Sequence, residues 1–273
     1  MNEKKKIVQE KYSEIAKQTK EQNAGSCCGA TGCCGDSNYS VFSEDYSNLQ
    51  GYNPDADLSL GCGIPTQFAK LKPGETVIDL GSGAGNDCFV ARQIVGENGL
   101  VIGIDFTQEM IDKAIENAKK LGTNNVKFRL GDIENIPVTA KKADVVLSNC
   151  VINLVPNKKK AFAEIFRVLK PGGHFCISDV VLIGEALPNA LLEAAEVYAG
   201  CVAGALQLDE YLETIENAGF IKTTVHKQRP IVIPDEILGM YLDSEGIKDF
   251  KSSGTNILSI SLSAYRPENC CCS

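Results

Sequence analysis

The 273-residue chain contains no tryptophan and only two histidines, His174 and His226. Chemistry that needs several imidazoles is therefore not expected. Positive charge is also scarce: 27 Lys and Arg stand against 35 Asp and Glu, a net charge of −8. That balance argues against a nucleic-acid phosphate surface, so no nucleic-acid partner is expected. No apolar run reaches the roughly 18 residues that a membrane span requires, so no membrane partner is expected either. The charged opening Met1-Asn2-Glu3-Lys4-Lys5-Lys6 has no apolar stretch behind it. It is not a signal-peptide pattern, and a cytoplasmic location is expected. Hydrophobic residues at 44% and charged residues at 23% are globular values and exclude wholesale disorder.

What the chain has in excess is cysteine, twelve in all. In a cytosolic chain of this length they point to metal binding or thiol chemistry rather than a disulfide scaffold. Cys27, Cys28, Cys33 and Cys34 form two adjacent pairs, and Cys270, Cys271 and Cys272 a terminal triplet. Cys62, Cys88, Cys150, Cys176 and Cys201 are scattered through the body.

Three regions are expected. Residues 1–58 read as a cysteine-rich flexible segment, with a possible helix over 5–20 and a loop composition over 23–40. Residues 59–185 alternate apolar strand-like runs with helix-like segments, the pattern of a parallel sheet covered on both faces. The predicted strands are 76–80, 100–105, 126–130, 143–150 and 174–179. One predicted helix follows Thr107 as N-cap, with Ile111, Ala114, Ile115, Ala118 and Leu121 as its apolar stripe. Another begins near Asn157 and ends at Pro171-Gly172-Gly173. Residues 186–273 read as a smaller α+β region: helices over 191–198 and 209–218, and strands over 220–233 and 256–265 that could pair antiparallel at an edge of the main sheet. No dimerisation element is visible, and a monomer is expected.

The first strand runs into Gly81-Ser82-Gly83-Ala84-Gly85 and then a helix. Such a turn lets backbone approach a ligand closely. Asp105 closes the next strand, where a carboxylate can accept both hydroxyls of a ribose. A nicotinamide dinucleotide calls for G-x-G-x-x-G, with the helix N-terminus facing a pyrophosphate. Here the third glycine comes one residue early and Asp79 precedes the loop. Acidic groups repel a pyrophosphate and suit a ligand carrying an ammonium and a sulfonium, namely S-adenosylmethionine. Asp132, after the third strand, is placed to accept from an adenine amine, and Ile133 to pack on its ring. Alternatively, Asp79 and Asp132 merely cap helices or loops.

The run Val77-Ile78-Asp79-Leu80-Gly81-Ser82-Gly83-Ala84-Gly85, together with Asp105, Gly131-Asp132 and Leu169-Lys170-Pro171-Gly172-Gly173, resembles the class I S-adenosylmethionine-dependent methyltransferases. The resemblance implies a Rossmann-like α/β fold, a mostly parallel sheet with helices on both faces. It is silent on substrate.

A buried cysteine is most often a small hydrophobe. That reading suits Cys88, inside the helix after the glycine loop, and Cys176, inside a strand. Cys150 differs, because it ends the fourth strand, and open α/β sheets bind ligands at that end. Glycines flank Cys62 and precede Cys201, allowing close backbone approach there. Gly61-Cys62-Gly63, Asp87-Cys88, Ser148-Asn149-Cys150-Val151-Ile152-Asn153-Leu154 and Gly200-Cys201 together resemble the arsenite S-adenosylmethionine methyltransferases. The resemblance implies that Cys62, Cys150 and Cys201 bind trivalent arsenic, a soft element matched to thiolates. It implies a cofactor site of Asp79, Gly81, Gly83, Gly85, Asp105, Phe106, Asp132, Ile133 and Asn149, with no obligatory metal. Arsenite and methylated arsenicals are the implied ligands. A further N-terminal cysteine, Cys34 or else Cys33, is implied in a disulfide relay reduced by thioredoxin or glutathione. The doubled N-terminal pairs and the cysteine tail depart from the family pattern; they could gather arsenite or bind zinc or copper, but for the tail a solvated, disordered end is the expected reading. Two other readings compete: a methyltransferase of a small organic molecule with structural cysteines, and a non-catalytic, thiol-rich metalloid-binding protein.

Overall fold

The structure is a computed structural model, and it describes residues 3–18, 43–191, 202 and 204–268. Its centre is one seven-stranded sheet in the order β3-β2-β1-β4-β5-β7-β6. The strands are β1 (Thr76–Leu80), β2 (Leu100–Asp105), β3 (Val126–Leu130), β4 (Ala143–Asn149), β5 (Leu169–Ile183), β6 (Ile221–Ile231) and β7 (Asn256–Tyr265). The first five run parallel. Ile78 at the centre pairs with Ile102 on one side and Val146 on the other. Strands β1, β2 and β4 are nearly continuous runs of Val, Ile and Leu because helices cover both of their faces. β3, at the edge, is only partly buried.

The helices are α1 (Glu3–Lys17), α2 (Asn86–Val95), α3 (Gln108–Lys120), α4 (Lys158–Val168), α5 (Leu208–Asn217), α6 (Asp235–Leu238) and α7 (Ser244–Ser252). α2 starts directly after the glycine turn, with Gly85 in the left-handed region at φ 101°. A Cβ there would lie 2.9 Å from both Phe128 and Phe89, so only glycine lets the turn close on the helix. In α3, Met110, Ile111, Ala114 and Ala118 are buried, whereas Ile115 and Leu121 of the expected stripe are exposed. Ile115 lies at the edge of that arc at 100° per residue, and Leu121 is already the C-cap. Asn157 caps α4 by accepting from Lys160 N. That helix stops at Val168 rather than Gly173, and Pro171-Gly172-Gly173 belong to β5. Proline cannot continue a helix, but it is tolerated near the start of a strand.

β7 lies antiparallel between β5 and β6, in register from His174↔Tyr265 to Ile183↔Asn256. The C-terminal strands thus extend the main sheet, as expected. Its alternation is strict: Leu258, Ile260, Leu262 and Ala264 join the large core on one face, and buried Ser259, Ser261 and Ser263 line the other. That serine face underlies the Cys62 loop.

The described parts of the first 58 residues differ from the flexible segment expected there. Ile15 and Ala16 of α1 are buried in the core cluster that also holds Val77 and Met110. Lys113 of α3 caps the helix end by donating to Ala16 O and Gln18 O. Tyr46, Ala56 and Leu58 are buried as well. Composition alone hid this, because each segment contributes only a few apolar residues. The paired N-terminal cysteines, the cysteine tail and the predicted helix beyond 191 lie outside the described residues. Among the described residues, no helix is long and apolar enough to cross a membrane.

Candidate active site

A cleft opens at the carboxyl ends of β1, β2 and β4. Gly81, Ser82 and Gly83 form its floor, and Asp79, Asp105, Phe106, Asp132, Ile133 and Asn149 all line it. Gly85 lies behind the wall in its packing role. Asp105 is anchored by backbone: Gly83 N donates to Oδ2 at 3.0 Å and Thr107 N to Oδ1 at 2.9 Å. Burial raises the Asp105 carboxyl pKa, against the pull of those backbone donors. Asp79 is raised further, by burial and then by the neighbouring Asp87, while a bond from the Cys88 thiol at 3.2 Å pulls it back. Cys88 therefore supports the cleft as well as filling the core. Cys176 is buried, and its thiol is pushed up to about 12 by burial, as for an inert core residue.

Three carboxylates in one low-dielectric wall suit a cationic ligand, since an ammonium or sulfonium would offset their desolvation. Buried Ser82 Oγ and Asn86 Oδ1 have no protein partner and face the same cleft. Beyond Gly83 a Cβ would find only Met110 Sδ, 4.0 Å away. The donor set and the glycine floor fit S-adenosylmethionine. On the side where Asp132 and Ile133 are expected to meet adenine, α1 closes over the cleft. Lys5 there pairs with Asp132 and, at 3.2 Å, with Glu134, and Val8 and Tyr12 complete the cover.

The cysteine positions converge in part. Cys62, on the loop before β1, and Cys150, just after β4, present sulfurs that lie with a carboxylate oxygen of Asp179 within 4.8 Å of one another. All three residues are buried, and Cys150 also lines the cofactor cleft. Cys150 adopts φ 60°, a left-handed conformation that costs a non-glycine residue about 1–3 kcal/mol. Its N–H donates to Ser178 O at 2.7 Å, which holds the turn. Val180, Leu182, Leu187, Val202, Ile231 and Ile257 pack around the pair as an apolar shell. Cys201 and Cys34 lie outside the described residues.

Asn149 ties the Cys62 loop to β4. Its Oδ1 accepts from Cys62 N at 3.1 Å and Gly63 N at 3.3 Å. Its Nδ2 faces Tyr46 Oη and Gly63 O at 2.8 Å each and Asp87 Oδ2 at 3.0 Å. Asp87 is pushed up to about 6, chiefly by burial, while the bonds from Asn149 and Tyr46 act in the opposite direction. Ser259 Oγ donates to Cys62 O at 2.6 Å from below. A Cβ on Gly61 would lie 2.5 Å from Asn149 Nδ2, and one on Gly63 2.5 Å from Ser178 Oγ. Gly63→Ala should therefore destabilise the protein by about 1–3 kcal/mol, read as a lower midpoint in chemical denaturation. An unchanged midpoint would mean that the loop is not held against β5.

Sequence reasoning missed Tyr46, Asp87 and Asp179. Asp179 had a signal, because it closes the strand predicted over 174–179; in the structure β5 runs on to Ile183, and Asp179 lies inside it. Its pKa is pushed up to about 7, mainly by burial; Val180 N, Lys158 and Tyr211 Oη favour the ionised form. Cys62, Cys150, Tyr211 and Lys158 are the titratable groups facing it. A carboxyl with a higher pKa folded than unfolded contributes stability that is complete below about pH 3.8 and lost as pH rises through about 7. Asp179→Asn removes that loss. Between pH 5 and 8 the variant's unfolding free energy should decline less than the parent's in parallel urea titrations. Equal declines would show that Asp179 ionises freely.

A methyltransferase-domain family model matches residues 71–219, and the sheet order, glycine turn and strand-end carboxylates define the chain as a class I methyltransferase. Arsenite methyltransferase of Halobacterium salinarum is 44% identical over 230 residues, 80% of this chain and 57% of that protein. The human arsenite methyltransferase is 39% identical over 171 residues, 59% of this chain and 44% of that protein. An arsenic(III) S-adenosylmethionine methyltransferase from Chlamydomonas reinhardtii superimposes with a TM-score of 0.64 at 32% identity, covering 76% of this chain and 68% of that one. The chain belongs to the arsenite S-adenosylmethionine methyltransferase family. It spans about half the length of the curated relatives it matches.

Proposed function

We propose that the protein methylates trivalent arsenic with S-adenosylmethionine as the methyl donor. The observation that carries this reading is the meeting of Cys62 and Cys150, distant in sequence, in an apolar pocket at the wall of the cofactor cleft. Trivalent arsenic prefers sulfur donors. Cys201 completes the three-thiolate set by resemblance to the family. Three sulfurs leave the arsenic lone pair on the side away from them.

When bound, S-adenosylmethionine supplies a sulfonium-activated methyl group, whose carbon the arsenic lone pair takes while the bonding pair stays with the departing sulfur. No general base is needed, which agrees with a cleft built without histidine. The work of the chain is placement. Asp105 fixes the ribose end, Asp79 the cationic tail, and the Asn149 network the Cys62 loop. Holding two reactants in line replaces a bimolecular encounter by a unimolecular step. The apolar shell excludes water from the arsenic.

Arsenic leaves the step formally pentavalent. Two thiolates can return it to the trivalent state by giving up two electrons and joining as a disulfide, with Cys34, or else Cys33, as the N-terminal partner. A dithiol such as thioredoxin, or two molecules of glutathione, then reduces that disulfide. Such a relay fits a reducing, cytoplasmic setting. The test is incubation with arsenite, labelled S-adenosylmethionine and a thiol reductant. Methylated arsenicals should accumulate beyond one turnover only when all three are present. Methyl transfer that ignores arsenite would instead favour a small organic acceptor.

A further inference from the structure

We propose that Cys62, Cys150 and Asp179 also form a site for a thiophilic divalent cation of the zinc and cadmium class, which competes with arsenic for the same two sulfurs. Trivalent arsenic has little use for a carboxylate, yet Asp179 is fully buried and one of its oxygens lies within 4.8 Å of both sulfurs. Zinc takes thiolate and carboxylate donors together, at about 2.3 Å and 2.0–2.2 Å. Small side-chain adjustments bring three donors at the present spacing to those distances. Three protein ligands leave a fourth position for water or an added thiol, the pattern of an open zinc site.

The surroundings also match a metal site. The Asp179 carboxylate is oriented by Val180 N at 3.0 Å on Oδ1 and by Tyr211 Oη at 3.1 Å on Oδ2. The Asn153 backbone donates to the carboxylate as well, which leaves one lone pair for a cation, and oriented second partners of this kind raise ligand basicity. Cys150 is held by its bond to Ser178, and Cys62 by Asn149 and Ser259. A divalent cation would offset the cost of burying the carboxylate beside two thiols. The consequence is inhibition: a bound cation denies arsenic its sulfurs while leaving the cofactor cleft open. The cation site rests on this geometry alone, whatever the methyl acceptor proves to be.

The probe is cobalt(II) as a spectroscopic substitute for zinc, added to the reduced 273-residue chain with Cys27, Cys28, Cys33, Cys34, Cys270, Cys271 and Cys272 changed to Ser. One equivalent should give an intense thiolate-to-cobalt charge-transfer band, lost in Cys150→Ser. Asp179→Asn should weaken cobalt binding roughly tenfold or more and shift the ligand-field bands, with a far smaller change in phenylarsine affinity. Cofactor binding by the variant shows that it is folded. In the unchanged site, one equivalent of zinc should block phenylarsine uptake. Absence of a thiolate band, or full phenylarsine uptake by the zinc-loaded protein, would overturn the proposal. So would equal cobalt affinity in folded Asp179→Asn. Cobalt binding without any phenylarsine binding would support the cation site and overturn the arsenic reading instead.

Discussion

Cys150→Ser should bind S-adenosylmethionine within a few-fold of the parent and lose arsenite methylation by about 10³-fold or more. The exchange is nearly isosteric, and the residue keeps its left-handed turn at φ 60° and its N–H bond to Ser178. What changes is the donor. A serine oxygen is hard and stays protonated near neutral pH, so it does not replace a thiolate on a soft pnictogen. Arsenic held by fewer sulfurs is held less tightly and points its lone pair less reliably. Because the cysteine side chain also lines the cofactor cleft, the two effects must be measured separately. Equilibrium binding of the cofactor and of phenylarsine reports the sites, and product formation reports the step. Normal turnover in Cys150→Ser would remove this sulfur from the reaction. Loss of cofactor binding alone would make Cys150 a wall of the nucleotide site.

The same position shows what a one-dimensional reading could and could not reach. The strands of the parallel half are legible because each is a short apolar run bounded by turn residues, and Asp105 and Cys150 are legible as strand-end residues of that sheet. Strand β7 is legible from its alternation of Ser with Leu and Ile. The convergence of Cys62 with Cys150 is different. Periodicity carries no information about it, and only the family resemblance suggested it. Tyr46 was out of reach for a related reason. It lies in a stretch of loop composition and acts through Gly63 and Asp87, residues whose nearness depends on the whole sheet having formed. Asp179 is visible as the acid closing the strand predicted over 174–179, although β5 runs on to Ile183, but its sulfur neighbours are not. Ile115 and Leu121 show the converse error, where a stripe read at helical spacing was wider than the face that the sheet covers.

Asn149→Ala should be the most damaging change that leaves every sulfur in place. The amide joins four partners: the Cys62 loop, Tyr46, Asp87 and its own strand β4. Truncation leaves Cys62 N and Gly63 N without their acceptor, and Asp87 loses one of the two bonds that favour its ionised form. Orphaned buried groups cost about 1–3 kcal/mol each, so an overall loss of about 3 kcal/mol is expected, together with a weaker grip on arsenic. The readout that separates positioning from bulk destabilisation is a split in kinetics. The arsenite KM should rise well above the change in cofactor KM, measured at a temperature where the variant is folded. Asn149→Asp sharpens the argument. It restores an acceptor for Cys62 N and Gly63 N but sets a second carboxylate oxygen against Asp87 Oδ2, at a position now 3.0 Å away, and against the Gly63 carbonyl. Like charges at that range in a buried site disfavour ionisation. The aspartate variant should therefore fail to rescue the alanine variant near neutral pH and recover in part as pH falls and one of the two carboxyls is protonated. Full rescue at neutral pH would show that only the acceptor half of the amide matters, and that the bonds to Tyr46 and Asp87 are incidental.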